Sequence, residues 1–110
     1  MSKKAFGPLV RGRVYAAVLG DLPQKYYLVV SNNARNRHLP SALAVRLTTT
    51  PKPEHLASVV RLGPNEVLTG FVCCDDIVEI WPDEVRGDLG ALSASAMTAV
   101  AAGLRSALGV

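Results

Sequence analysis

The chain has 110 residues, 49% of them hydrophobic but only six aromatic, which fits a single domain over residues 1–110 with a modest aliphatic core. No apolar run approaches the roughly 20 residues of a membrane span, and the basic start Met1-Ser2-Lys3-Lys4-Ala5 lacks the apolar stretch of a secretory leader. The net charge of +3 hides an asymmetry: residues 1–62 carry ten Lys or Arg against Asp21 and Glu54, whereas residues 63–110 carry Arg86 and Arg105 against seven acids.

A flexible tail is expected over residues 1–9, with Gly7-Pro8 near its end. Arg13 to Leu19 reads as a strand, closed by the turn-rich Gly20-Asp21-Leu22-Pro23. Tyr26 to Val30 is strongly β-prone and nearly all apolar. The polar stretch Ser31 to His38 reads as a turn or loop, closed by Pro40. A third strand is predicted from Ala42 to Thr49. There Leu43, Val45 and Leu47 alternate with Ala44, Arg46 and Thr48, placing Arg46 and Thr48 on one face. Shorter strands are expected at Ser58 to Leu62, Gly70 to Cys74 and Val78 to Trp81. The period then changes: Met97, Val100, Leu104 and Leu108 make a helical stripe over 93–108, with Ser93 as N-cap and Gly109 as the stop. The pattern is that of a mainly β domain with a C-terminal helix, a small barrel or sheet.

A basic half attracts polyanions, because Lys and Arg displace phosphate counterions; it can equally be neutralised by the acidic half within the fold. Cys73-Cys74, being adjacent, cannot close a loop, which fits a reducing, cytoplasmic setting. Both are read as core residues, and His55 as a surface residue. Metal-ligand spacings, phosphate loops and a Gly-x-Ser-x-Gly elbow are absent from the sequence, so no metal or cofactor is expected.

The chemistry-bearing residues concentrate between Lys25 and Thr50: Lys25, Asn32, Asn33, Arg35, Asn36, Arg37, His38, Arg46 and Thr48 to Thr50. Metal-free RNA cleavage needs a proton acceptor for the 2′-hydroxyl, a donor for the 5′-oxygen, and cations or donors around the phosphorane. Lysine, arginine and threonine supply charge and donors, and asparagine reads unpaired base edges. Asn32-Asn33 serve equally well to shape a turn.

In their order and spacing, several segments resemble the MazF/PemK toxins, the RNA-cleaving halves of bacterial toxin–antitoxin pairs. These are Arg11-Gly12-Arg13-Val14-Tyr15, Leu28-Val29-Val30-Ser31-Asn32, Ala44-Val45-Arg46-Leu47-Thr48-Thr49, Cys74-Asp75-Asp76-Ile77 and Leu89-Gly90-Ala91-Leu92-Ser93. The likeness spans residues 10–110 and is greatest to short actinobacterial members. It implies an SH3-like small β-barrel of the MazF/CcdB type, a homodimer, and metal-independent, sequence-specific cleavage of single-stranded RNA at short sequences to 2′,3′-cyclic phosphate and 5′-hydroxyl ends. It further implies a cognate antitoxin whose acidic, disordered tail occupies the basic groove. In the family a strand-opening arginine before a proline, and a threonine ending the next long strand, carry catalysis. The threonine matches Thr48, but Lys25-Tyr26 stand where the arginine and proline would be. The expected catalytic residues are therefore Lys25 and Thr48, with Arg46, Asn36, Arg37, His38 and Thr49 binding RNA and His38 a second candidate for proton transfer. Two alternatives share the fold: a CcdB-like gyrase poison, and an RNA-binding barrel without turnover.

Overall fold

The computed structural model describes residues 7–110. Six strands form one antiparallel sheet: β1 (Arg13–Ala17), β2 (Lys25–Val29), β3 (Ala42–Thr48), β4 (Val59–Leu62), β5 (Gly70–Ile80) and β6 (Val85–Ala91). Two α-helices complete the fold, α1 (Asn33–His38) between β2 and β3, and α2 (Ala94–Leu108) at the C-terminal end. The strand order is β4-β5-β3-β2-β1-β6.

Both faces of the sheet are apolar, because residues opposed across antiparallel strands share a face. Val14, Leu28, Val45, Leu47, Val72 and Cys74 form one layer, covered by Val100, Met97 and Leu104 of α2. The other layer holds Tyr15, Ala17, Tyr27, Val29, Ala42, Ala44, Ile80 and Val85. In this second layer the far end of β5 and the start of β6 come together, Ile80 and Val85 sharing one cluster with Leu9 from the segment before β1.

Both β5 and β6 are irregular, and such bulges bend the strands that carry them. Along β5, Val45 pairs with Ile77 but the next residue of β3, Arg46, pairs with Cys73, so Cys74, Asp75 and Asp76 form a bulge opposite a single step. Two register shifts bend β6 against β1 in the same manner.

The structure revises the sequence reading at four places. The two short strands expected at 70–74 and 78–81 are one strand, interrupted only by the bulge. β6 went unpredicted because Arg86, Gly87, Asp88 and Gly90 dilute its β signal. The loop expected at Ser31 to His38 contains α1, capped by the Asn32 side chain, which accepts from the Arg35 N–H at 2.8 Å. The tail does not extend to residue 9: Leu9 is buried among Tyr15, Ile80 and Val85, and the Val10 N–H donates to the Tyr15 hydroxyl at 3.0 Å. The rest of the expected tail, residues 1–6, lies outside the described residues.

The C-terminal helix has the Ser93 cap, whose hydroxyl accepts from the Ala96 N–H at 3.1 Å, and it ends on left-handed Gly109. Among the described residues no helix is long and apolar enough to cross a membrane.

Candidate functional site at the end of strands β2 and β3

The register of β2 against β3 pairs Tyr26 with Leu47 and Tyr27 with Arg46. One step further along, Lys25 stands opposite Thr48. Lys25, Tyr27, Arg46 and Thr48 therefore share the face turned away from α2. Lys25, Arg46 and Thr48 are each half-buried, while Thr49 is exposed beside them. No described residue forms an ion pair with the Lys25 ammonium.

The Thr48 hydroxyl oxygen accepts from the Thr50 N–H at 3.1 Å, which leaves its own proton to be donated elsewhere. Arg46 Nε lies 2.9 Å from Asp76 Oδ2, but its N–H is not aimed along a hydrogen-bond line. The contact is thus electrostatic, and the outer guanidinium nitrogens remain the groups that can meet a phosphate. The β5 bulge is what carries Asp76 back over β3 to reach Arg46.

Tyr27, the cross-strand partner of Arg46, is almost wholly buried. Burial pushes its phenol up from the ordinary tyrosine value, an effect that the Arg46 charge partly offsets. Cys73 lies opposite Arg46 on β5, and burial raises its thiol despite the cations of Arg46 and Lys52. Cys74, under α2, is pushed up to about 11, again first by burial. Neither sulfur is held as a thiolate nucleophile.

The structure divides the residues that are near one another in sequence. Arg37 and His38 lie on α1, beyond the other end of β2. The four residue steps from Lys25 to Val29, at about 3.4 Å each, put roughly 14 Å of strand between them and Lys25. His38 Nδ1 is engaged with the Ala34 carbonyl at 2.7 Å, so it does not share proton transfer with Lys25 and Thr48 in the same protomer. Arg37 and His38 are both exposed.

Asn36 is corrected outright. It is 3% exposed; Ser31 Oγ donates to its Oδ1 at 2.5 Å, and its Nδ2 donates to the Ser31 carbonyl at 3.0 Å. It is a structural residue, enclosed away from any RNA. Asn32 and Asn33 also serve the fold, the second accepting from the Arg11 N–H at 2.8 Å. Several cations are likewise committed: Arg13 to Asp88 at 3.0 Å, Arg35 to the Ser41 carbonyl at 2.8 Å, and Arg11 to the Val30 carbonyl. The basic and acidic halves thus meet in part, through Arg13–Asp88 and Arg46–Asp76, while Lys25 at the strand end has no carboxylate partner among the described residues. Tyr27 is the site neighbour that the sequence did not assign, with no signal beyond its place between Lys25 and Val29. Asp75 and Asp76 read from the sequence as acids near the site that could repel RNA or hold basic side chains, and Asp76 lies against Arg46.

A six-stranded antiparallel sheet, one packed C-terminal helix and a cationic, hydroxyl-bearing strand end define a class of small bacterial toxins. The chain belongs to the PemK-like, MazF-like toxins of type II toxin–antitoxin systems, whose family profile matches residues 11–108. It is 42% identical over 101 residues to endoribonuclease MazF1 of Mycobacterium bovis and to endoribonuclease MazF4 of Mycobacterium tuberculosis, covering 92% of this chain and 93% of each relative. Among solved structures, a mycobacterial endoribonuclease in complex with its cognate antitoxin superposes with a TM-score of 0.86 at 41% identity, over 93% of this chain and 96% of that one. The Mycobacterium tuberculosis toxin MazF-mt6, at 24% identity and a TM-score of 0.75 over 89% of this chain and 97% of that one, shares the fold.

Proposed function

We propose that this protein is the endoribonuclease toxin of a type II toxin–antitoxin pair, cutting single-stranded RNA without a metal to leave a 2′,3′-cyclic phosphate and a 5′-hydroxyl. The observation that carries the reading is the opposition of Lys25 and Thr48 across β2 and β3, with Arg46 on the same face two residues from Thr48.

In this reading the scissile phosphate sits over the β2–β3 strand end. The 2′-oxygen attacks phosphorus and its proton passes to water. The Thr48 hydroxyl and the Arg46 guanidinium donate to the non-bridging oxygens, whose negative charge grows in the phosphorane. The Lys25 ammonium donates to the 5′-oxygen and gives up its proton as the P–O5′ bond breaks. Thr49 lines the strand end, and Arg37 and His38 hold the RNA backbone further along the surface.

The protein acts as a homodimer in the cytoplasm, with a cognate antitoxin whose acidic, disordered tail competes for the same cations. Single-stranded RNA incubated with the purified protein in EDTA should be cut to cyclic-phosphate ends. Lys25→Ala and Thr48→Ala should each lower the rate by about 10²–10⁴-fold, the usual range for a proton-transferring or charge-stabilising group. Undiminished cleavage by both variants overturns the assignment; inhibition of DNA supercoiling without RNA cleavage points instead to a gyrase poison.

A further inference from the structure

The row of residues that contains Lys25 and Thr48 does not stop at β3. Thr48 is paired with Phe71 of β5, and Phe71 with Arg61 of β4. Lys25, Thr48, Phe71 and Arg61 therefore lie side by side across four strands, on one face, at strand spacings of about 4.8 Å. A cavity of about 540 Å³ opens at this level, walled by Arg61, Leu62, Pro64, Thr69, Gly70 and Phe71.

Gly70 fixes the cavity to the site. Its φ is +129°, and a Cβ there would stand 2.3 Å from the Thr48 carbonyl oxygen. Only glycine permits so close a contact, so the cavity wall and the Thr48 backbone are held as one unit.

We propose that this cavity is a nucleobase subsite, seating a base next to the scissile phosphate and thereby setting which sequences are cut. The proposal rests on the ribonuclease reading and names the part of its substrate that this pocket takes. A polynucleotide places a planar, largely apolar base beside every charged phosphate. The row places an apolar cavity beside the Lys25–Arg46–Thr48 cluster in the same sequence. Leu62, Pro64 and Phe71 supply the apolar wall, while Thr69 and Arg61 supply polar groups that can address a base edge or, for the guanidinium, stack on its face. Arg61 is suited to this: its side chain is 70% exposed and is tethered to Glu54 only loosely, at 3.6 Å, an exposed pair that costs little to rearrange.

The test uses the full-length protein and oligoribonucleotides carrying its mapped cleavage sequence, each base near the cut replaced in turn by an abasic residue. Wild-type kcat/KM should fall about ten- to a hundred-fold at one flanking position, the scale of a lost stacking partner. Gly63 provides a blocking variant, since it lines the cavity and a Cβ on it meets nothing within 4 Å. In Gly63→Leu, and in Arg61→Ala, the abasic penalty at that position should shrink at least several-fold, because the subsite is already filled or stripped. Circular dichroism and melting of both variants check that they fold.

Abasic penalties of unchanged size in both folded variants overturn the subsite while the ribonuclease reading stands. Absence of any cleavage by the wild type overturns both. Unchanged penalties together with weaker inhibition by an antitoxin peptide assign the cavity to a peptide side chain instead.

Discussion

Asn36 offers the clearest separation between a residue that binds RNA and one that builds the surface on which RNA lies. Replacing it with alanine removes two buried hydrogen bonds, Ser31 Oγ to Asn36 Oδ1 at 2.5 Å and Asn36 Nδ2 to the Ser31 carbonyl at 3.0 Å. The Ser31 carbonyl loses its side-chain donor. The Ser31 hydroxyl can turn only to the Leu43 carbonyl, 3.5 Å away, while still accepting from the Leu43 N–H at 2.9 Å. Two hydrogen bonds at roughly 1 kcal/mol each, with a further cost for the carbonyl left buried, give about 2–3 kcal/mol. Alanine's better helix propensity returns about 0.5 kcal/mol. A net loss of about 2 kcal/mol lowers Tm by roughly 8–15 °C in a domain of this size. Urea unfolding and thermal melting measure the loss, and cleavage kinetics on the folded variant measure function. Asn36→Ala should melt early while keeping KM for RNA within about threefold, a change of less than 1 kcal/mol. A variant with wild-type Tm and a strongly raised KM refutes this reasoning and restores Asn36 to the RNA-contacting set.

Gly103 lets α2 approach β5: a Cβ there would lie 2.7 Å from Cys74 Sγ and 3.3 Å from Val60 Cγ2. Gly103→Ala should therefore cost a net of about 1–2 kcal/mol in urea unfolding, overpacking outweighing the helix gain, and adding Cys74→Ala should recover much of it. Cys74, whose folded thiol is raised to about 11, keeps its proton over a pH range in which the unfolded thiol ionises. Stability should thus fall as pH rises from about 9 towards 11, by up to about 1.4 kcal/mol per pH unit for one such group, and Cys74→Ala should flatten that slope. Asp76→Ala removes both the tether and a negative charge beside Arg46. KM for RNA should stay level or fall while kcat drops about tenfold, as positional order is lost; a raised KM at unchanged kcat contradicts the tether.

The sheet core was legible where residue type and face agreed. Leu28, Val29, Val45 and Leu47 declared their strands, and Ser93, Met97, Val100 and Gly109 declared α2, because each signal is local. The missing elements depend on side-chain hydrogen bonds and strand partners that apolar periodicity does not reveal. α1 has six residues and no apolar stripe; its order comes from Asn32 as cap, from Arg11 on Asn33, and from Ser31 on Asn36. β6 holds two glycines and two charges, and it is a strand because β1 pairs with it. Lys25 and Thr48 entered the candidate site only through their place in a known pattern. His38, the second candidate for proton transfer, is set apart from that pair because closeness in sequence does not reveal which end of a strand a residue occupies.

That division sharpens what Lys25 must do, since His38 is held on α1 and not at the strand end. A lysine ammonium and a guanidinium both supply charge to a phosphorane, but they differ as acids. The guanidinium stays protonated at any pH the folded protein meets, whereas an ammonium beside a leaving oxygen gives up its proton far more readily. If charge alone were needed, Lys25→Arg would match or exceed the wild type, because the planar fork binds phosphate in two places. With proton donation at that position, Lys25→Arg keeps KM within a few-fold and loses kcat by about 10-fold or more, within the range that one proton-transfer group contributes. A substrate with a 5′-thio leaving group, which departs without protonation, then separates the two roles. It should restore Lys25→Arg towards the wild-type rate and leave Thr48→Ala slow, and a Lys25→Arg variant as slow on the thio substrate as on the natural one removes proton donation from Lys25.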